Sequence, residues 1–291
     1  MPVYLGYFKS LGYTKTKLLS IRKSMAKSKT AYVCTDCGSE YSRWLGQCTD
    51  CKAWNTISEF RQAKLPDRGG NFAGFAGSAL NDEAKVQTLD AIDLADLPRF
   101  SAGFAEFDRV LGGGIVPGSA ILIGGEPGAG KSTLLLQTMC SLAANMTALY
   151  ITGEESLQQV AMRAKRLALP TDKLKMLSET SVENICHIAI KEQPKIIVID
   201  SIQVMHMSDV QSAPGSVSQV RESAAYLTRF AKQHHVAILL VGHVTKDGSL
   251  AGPKVLEHMI DCSILLEGSE DARFRILRGQ KNRFGAVNEL G

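Results

Sequence analysis

Long apolar runs are missing from this sequence: none approaches the 18 residues a membrane-crossing helix needs, so the expectation is a soluble chain. Acidic residues are absent from the first 33 positions, which carry Lys9, Lys15, Lys17, Arg22, Lys23, Lys27 and Lys29. That composition suits a transit peptide, but the continuous apolar stretch of a secretory signal is lacking. Translation from Met25, with residues 1–24 lying upstream of the true start, is the favoured account, because Met25-Ala-Lys-Ser-Lys leads straight towards the first cysteine. Neither charge sign dominates, and a net +4 is too small to establish a polyanionic partner by itself. A disulfide framework is also missing. Four of the seven cysteines cluster, while Cys140, Cys186 and Cys262 are scattered in apolar surroundings, which points to metal and a reducing, cytoplasmic setting. With 45% hydrophobic residues over 291 positions, the chain can bury the core of one large domain, or of a large and a small one.

The stretch Ser119–Thr133 organises what is present. Ala120–Ile123 is an apolar run suited to a buried strand, and Thr133–Leu142 is competent to form a helix. Between them, Gly125-Glu126-Pro127-Gly128-Ala129-Gly130-Lys131-Ser132-Thr133 contains G-x-x-x-x-G-K-[ST]. Strand, loop and helix in that order mark a phosphate-binding loop. Glycines at 125, 128 and 130 let backbone N–H groups approach phosphate oxygens, and the helix N-terminus favours the anion. Lys131 would reach the β- and γ-phosphates, and Ser132 would hold Mg²⁺.

Downstream, strands are expected at Ala148–Thr152, Ile196–Asp200 and Ala237–Val241, with later strands at Ile264–Glu267 and Phe274–Leu277. Helices are expected at Phe107–Leu111, Leu157–Leu167, Val182–Lys191 and Val217–Lys232. Alternation at this pitch predicts an α/β fold with a mostly parallel sheet covered on both faces. Asp200, closing an apolar strand, would reach the Mg²⁺ shell, directly or through water. Glu154 first and Glu155 second are candidates to orient or deprotonate the attacking water. Gln203 and His243 could sense the γ-phosphate. Two segments past strand ends, Met205–Ser216 and Thr245–Pro253, lack secondary-structure signal and suit mobile loops contacting a polymer, with Lys246 and Lys254 as candidate DNA phosphate contacts.

Cys34-Thr-Asp-Cys37 and Cys48-Thr-Asp-Cys51 form two knuckles with the spacing of a structural zinc site; four thiolates leave no open position. Trp44 and Trp54 are expected to cover its small core. The expected organisation is a basic extension over residues 1–30, a zinc ribbon over 31–60, a Gly/Ala-rich linker over 61–85 and a nucleotide-binding core over 86–291.

RFSAGFAEFDRVLGGGIVPGS, GGEPGAGKST, ITGEES, VIDSIQ, GHVTKDG and LAGPKVLEHMID together resemble the bacterial RadA (Sms) family of RecA-like DNA repair ATPases. The ribbon, with RWLGQC and AWNT, resembles that family's N-terminal module, and Lys281-Asn282-Arg283-Phe284-Gly285 resembles its KNRFG motif. The resemblance covers residues 25–291. It implies a RecA-like fold and a DNA-stimulated ATPase using ATP, Mg²⁺ and Zn²⁺. It also implies a hexameric ring that binds single-stranded DNA, drives branch migration of recombination intermediates and works beside a recombinase filament. Lys281 and Arg283 take the motif's place and could complete a neighbouring subunit's nucleotide site, as arginine fingers do. The family continues into a Lon-protease-like domain, whereas this sequence runs to Glu289-Leu290-Gly291, as a fragment or a form without that domain. A nucleotide-gated regulatory switch, similar to circadian or signalling RecA-fold proteins, and a zinc-dependent binding module with a vestigial ATPase are the alternatives.

Overall fold

The computed structural model describes residues 30–34, 40–50, 52–61, 88, 99–243, 256, 258–268, 274–287 and 289–291. Thr30 at the end of the expected extension and Arg61 at the start of the expected linker belong to the ribbon sheet; the rest of both segments, Cys37, Cys51, Lys246 and Lys254 lie outside the described residues.

Three short strands, β1 (Thr30–Cys34), β2 (Glu40–Tyr41) and β3 (Ile57–Arg61), form an antiparallel sheet in the order β2-β1-β3. Cys34 and Cys48 are fully buried in a small cluster with Ile57. The tryptophans do not cover this core. Trp44 is 56% and Trp54 69% exposed, and both indoles lie over Gly46 while Tyr32, Tyr41 and Leu45 pack the cluster.

The larger unit is a seven-stranded sheet in the order β10-β9-β4-β8-β7-β5-β6. Its strands are β4 (Ala120–Gly125), β5 (Ala148–Thr152), β6 (Lys175–Ser178), β7 (Ile196–Asp200), β8 (Ala237–Val241), β9 (Cys262–Glu267) and β10 (Ile276–Asn282). All neighbours are parallel except the β9–β10 pair. Successive strand residues point to opposite faces, so the apolar runs supply two cores at once. Ile121, Ile123, Tyr150, Val198 and Leu239 face one side; Leu122, Leu149, Ile151, Ile197 and Leu240 face the other. Helices α1 (Ala105–Val110), α2 (Lys131–Ala143) and α3 (Leu157–Arg166) cover the first core, and α4 (Val182–Glu192) and α5 (Val217–His234) the second. None of the helices among the described residues is long and apolar enough to cross a membrane.

The expected α/β architecture holds, with instructive differences. Strand β6 went unexpected because it is a half-exposed edge strand reading KMLS, with no apolar run to announce it. Strand β10 begins two residues later than expected and runs on through Asn282, taking in part of the KNRFG segment, because its alternating exposed and buried residues mimic a polar loop. Met205–Ser216 is not a free loop. Gln219 on α5, 2% exposed, donates to the carbonyls of Met207, Val210 and Ser212 and accepts from the Met207 amide at 2.9 Å. This side chain adds to the backbone pairing of His206 with Thr180 and Val182 and to the Ser208 amide held by Glu183, so the segment is tied down at several points.

Gln219→Leu keeps the bulk and removes the partner of the Met207 amide and the Ser212 carbonyl, so it should cost about 1–3 kcal/mol in chemical denaturation and expose 205–216 to proteolysis; unchanged stability with unchanged protease resistance would contradict the pinning role.

Candidate nucleotide site

Parallel strands deliver their C-terminal ends to one edge of the sheet, and the candidate residues collect there. Strand β4 ends at Gly125, whose φ of 156° brings it so close to β9 that a Cβ would stand 2.5 Å from the Leu266 carbonyl oxygen. The loop then turns through Gly128 (φ 83°) and Gly130 (φ 100°), where a Cβ would meet nothing within 4 Å. Glycine is required there by backbone conformation, and the open space beside it is the cradle a phosphate chain would fill. Glu126, Pro127 and Ala129 complete the loop; Lys131, Ser132 and Thr133 open α2. The Lys131 ammonium donates to the carbonyls of Gly125 and Glu126, each at 2.8 Å. Burial pulls its pKa down, and the carboxylates of Asp200 and Glu154 oppose that shift, so all three side chains share one electrostatic environment.

Strand pairing brings the two acids to the same edge, since Thr152, two residues before Glu154, is in register with Asp200 on β7. Asp200 is 6% exposed and accepts from the Tyr150 hydroxyl at 2.5 Å. Burial first, and then the charge of Asp200, push the Tyr150 phenol far above its ordinary value, so it remains a donor. Glu154 Oε1 accepts from the Ser201 hydroxyl, and His243 Nε2 stands 3.4 Å from the same oxygen. Two buried atoms, Gln203 Oε1 and His243 Nδ1, have no hydrogen-bond partner among the described residues. Orphaned hydroxyls of Thr138, Ser223 and Ser263 lie elsewhere in the molecule, so it is the position of Gln203 and His243 after the ends of β7 and β8 that makes these two atoms available to a polar ligand at this edge.

Glu155 is elsewhere occupied. It pairs with Arg163 of α3, and its amide donates to Thr152 Oγ1 at 3.1 Å. Ser156 then caps α3 in a reciprocal box with Gln159. Of the two adjacent glutamates, Glu154 alone turns towards Lys131 and Asp200. Tyr150, Ser201 and Arg163 escaped sequence reasoning because each sits in an ordinary strand, loop or helix position; their roles follow from cross-strand register, which spacing does not reveal.

Lys281 and Arg283 are not at this edge. β9 runs parallel to β4, and β10 returns antiparallel, so the KNRFG segment lies towards the opposite end of the sheet. There Lys281 donates to the Ile260 carbonyl at 2.9 Å, and Arg283 pairs with Asp261 at 3.2 Å. Asp261, 1% exposed, also holds Lys232 at 2.9 Å and the amide of Ala120 at 3.0 Å. Gly285 packs against Gly112, whose φ is 79° and whose Cβ would lie 3.1 Å from the Gly285 Cα.

A cavity of about 370 Å³ flanks the phosphate loop, lined by Phe104, Gly130, Leu134, Gln137, Leu266 and Arg275. Its apolar wall with a few polar groups suits the flat face and edge of a nucleobase. Another, of about 390 Å³, lies between α4 and α5 and includes no residue of the loop. In the ribbon, Cys34 and Cys48, one from each knuckle, are buried together, an arrangement that fits a shared metal ion.

Residues 85–249 match the family described as an AAA domain, and residues 32–59 the family described as a rubredoxin metal binding domain. The chain is 72% identical over 270 residues to DNA repair protein RadA of Escherichia coli (strain K12), covering 92% of this chain and 58% of that protein. Against DNA repair protein RadA of Haemophilus influenzae identity is 70% over 269 residues, with the same 92% and 58% coverage. Against that of Bacillus subtilis (strain 168) it is 47% over 268 residues, again with 92% and 58%. The chain thus spans 58% of the length of these curated relatives. The resemblance carried by the ribbon, the phosphate loop and the KNRFG run is borne out. Among solved structures, a KaiC-like protein, PH0186, from Pyrococcus horikoshii OT3 aligns with a TM-score of 0.53 at 20% identity, covering 64% of this chain and 89% of that one. At that identity it shows the fold alone, a RecA-like parallel sheet.

The buried network around Asp261 gives a ranking. Lys232→Met leaves a buried carboxylate without its more enclosed partner and should lower stability by about 3 kcal/mol. Arg283→Met removes a half-exposed partner and should cost under about 1 kcal/mol. Denaturant titrations giving the reverse order would refute this division of the network.

Proposed function

The chain belongs to the AAA-domain family, alongside the proteins named DNA repair protein RadA, and on that footing we propose that it is a Mg²⁺-dependent ATP hydrolase acting on DNA in recombinational repair. The observation that carries the hydrolytic part is the placement of Glu154. It faces Lys131 and Asp200 and is held by Ser201 and His243, while its neighbour Glu155 is tied to Arg163.

In this reading the glycine-lined cradle takes the phosphates through backbone N–H groups, and Lys131 exchanges its loop carbonyls for the β- and γ-phosphate oxygens. Ser132 and Asp200 would hold Mg²⁺, which neutralises phosphate charge when bound. Glu154 orients the attacking water and takes its proton. Gln203 and His243 supply the polar atoms able to read the γ-phosphate. The base lies against the wall formed by Phe104 and Leu134. Cys34, Cys37, Cys48 and Cys51 hold zinc as a structural ion.

DNA action rests on the relatives and on the KNRFG run. We assign single-stranded DNA and branched recombination intermediates as substrates, with Lys246 and Lys254 on its phosphates, a recombinase filament as partner, and the cytoplasm as the setting. Because Lys281 and Arg283 lie away from their own phosphate loop, their service to a nucleotide belongs to a neighbouring subunit of a homo-oligomeric, hexameric ring.

Lys131→Ala should abolish ATP hydrolysis. Glu154→Gln should lower kcat at least 100-fold with ATP affinity kept, and Glu155→Gln should stay within a few-fold of the native rate, on the scale typical of general-base removal (~10²–10⁴). Equal losses at 154 and 155 would sink the assignment of the base.

Single-stranded DNA should raise the ATPase rate at low salt and lose its effect steeply as salt rises. No stimulation would remove the DNA reading while leaving nucleotide hydrolysis standing. Mixed rings of Arg283→Ala and Lys131→Ala subunits should recover part of the rate that each lacks alone; no recovery in demonstrably mixed rings argues against a shared site.

A further inference from the structure

Tyr150 is among the largest fully buried side chains of the protein, and it stands in a strand whose neighbours are Leu149 and Ile151. A phenylalanine would fill the same apolar space. Burying a phenol hydroxyl is costly unless it is satisfied, so its presence calls for a partner. Pairing of β5 with β7 sets Tyr150 opposite Val198, two residues before Asp200 on the same face. That diagonal is within reach of an aromatic side chain. Accordingly, the Tyr150 hydroxyl donates to Asp200 Oδ2 at 2.5 Å, a length typical of a hydrogen bond to a carboxylate. That bond ties the end of β7 to the middle of β5 at the side chain that would hold the cation.

We propose that Tyr150 is a positioning residue for the divalent cation of the nucleotide site, its hydroxyl fixing the Asp200 carboxylate before the ion arrives. This rests on the magnesium–nucleotide part of the proposed function and is independent of DNA. An aspartate carboxylate turns broadly about its last torsion, so a free Asp200 would have to be ordered at the expense of binding. With Oδ2 engaged by the phenol, Oδ1 is left for the ion or its water. Partners of this kind, which orient ligands without touching the metal, typically govern affinity by about 10- to 100-fold.

The test uses the full chain as native protein, Tyr150→Phe, Asp200→Asn and the double variant, with melting curves confirming that each is folded. Mn²⁺ binding to the ADP-saturated protein is read from the loss of the free-ion electron paramagnetic resonance signal. Binding of a fluorescent ATP analogue is measured separately in EDTA. Tyr150→Phe should weaken Mn²⁺ binding by about 10-fold, leave analogue affinity in EDTA unchanged, and add nothing to the loss in the Asp200→Asn background. Unchanged Mn²⁺ affinity, an equal loss in EDTA, or an additive loss beside Asp200→Asn would each overturn the proposal. A native chain that binds neither the analogue nor Mn²⁺–ADP would instead bring down the nucleotide site itself, and this inference with it.

Discussion

Register between parallel strands is the constraint on which the rest of this molecule depends. Ile123 on β4 pairs with Val241 on β8, and Thr152 on β5 pairs with Asp200 on β7. Strands so aligned end together, and the residues following each end are forced into one crevice. Lys131, Glu154, Asp200, Ser201 and His243 come from four separate strand ends and meet for that reason alone. A one-residue slip of β7 against β5 would turn Asp200 to the other face and leave Tyr150 without an acceptor for its hydroxyl. The two apolar cores defend that register from both sides, because each slip would also exchange Ile197 and Ile199 with Ile196 and Val198.

Much of this was legible before any coordinates. Runs such as IIVID and AILLV announce buried strands, and the phosphate loop announces itself through its glycines and lysine. What stayed hidden has a common cause. Strand β6 has two half-buried residues flanked by exposed ones, so the pattern that reveals a strand is faint. Gln219 looks like any polar helix residue until the backbone it holds is folded against it. The tryptophans of the ribbon were expected to cover its small core, yet the cluster is closed by tyrosines and Leu45. Glu154 and Glu155 are indistinguishable in sequence. Arg163, eight positions beyond Glu155, separates them by drawing one away along the first turns of α3.

The two ends of the sheet carry different kinds of order. The phosphate-loop end collects side chains that are partly satisfied and electrostatically coupled. At the other, Asp261 is saturated by Lys232, Arg283 and the Ala120 amide, and glycine-on-glycine contact joins residue 112 to residue 285. The KNRFG segment is therefore part of the rigid frame of its own subunit, and whatever it presents outward moves with that frame.

Lys131 gives the site a resting arrangement as well. An ammonium has three N–H bonds, and two of them lie on the carbonyls of Gly125 and Glu126. A phosphate placed in the loop would find one N–H open and would have to displace these carbonyl oxygens to gain the other two, so the ammonium keeps an internal set of acceptors whenever the loop is empty.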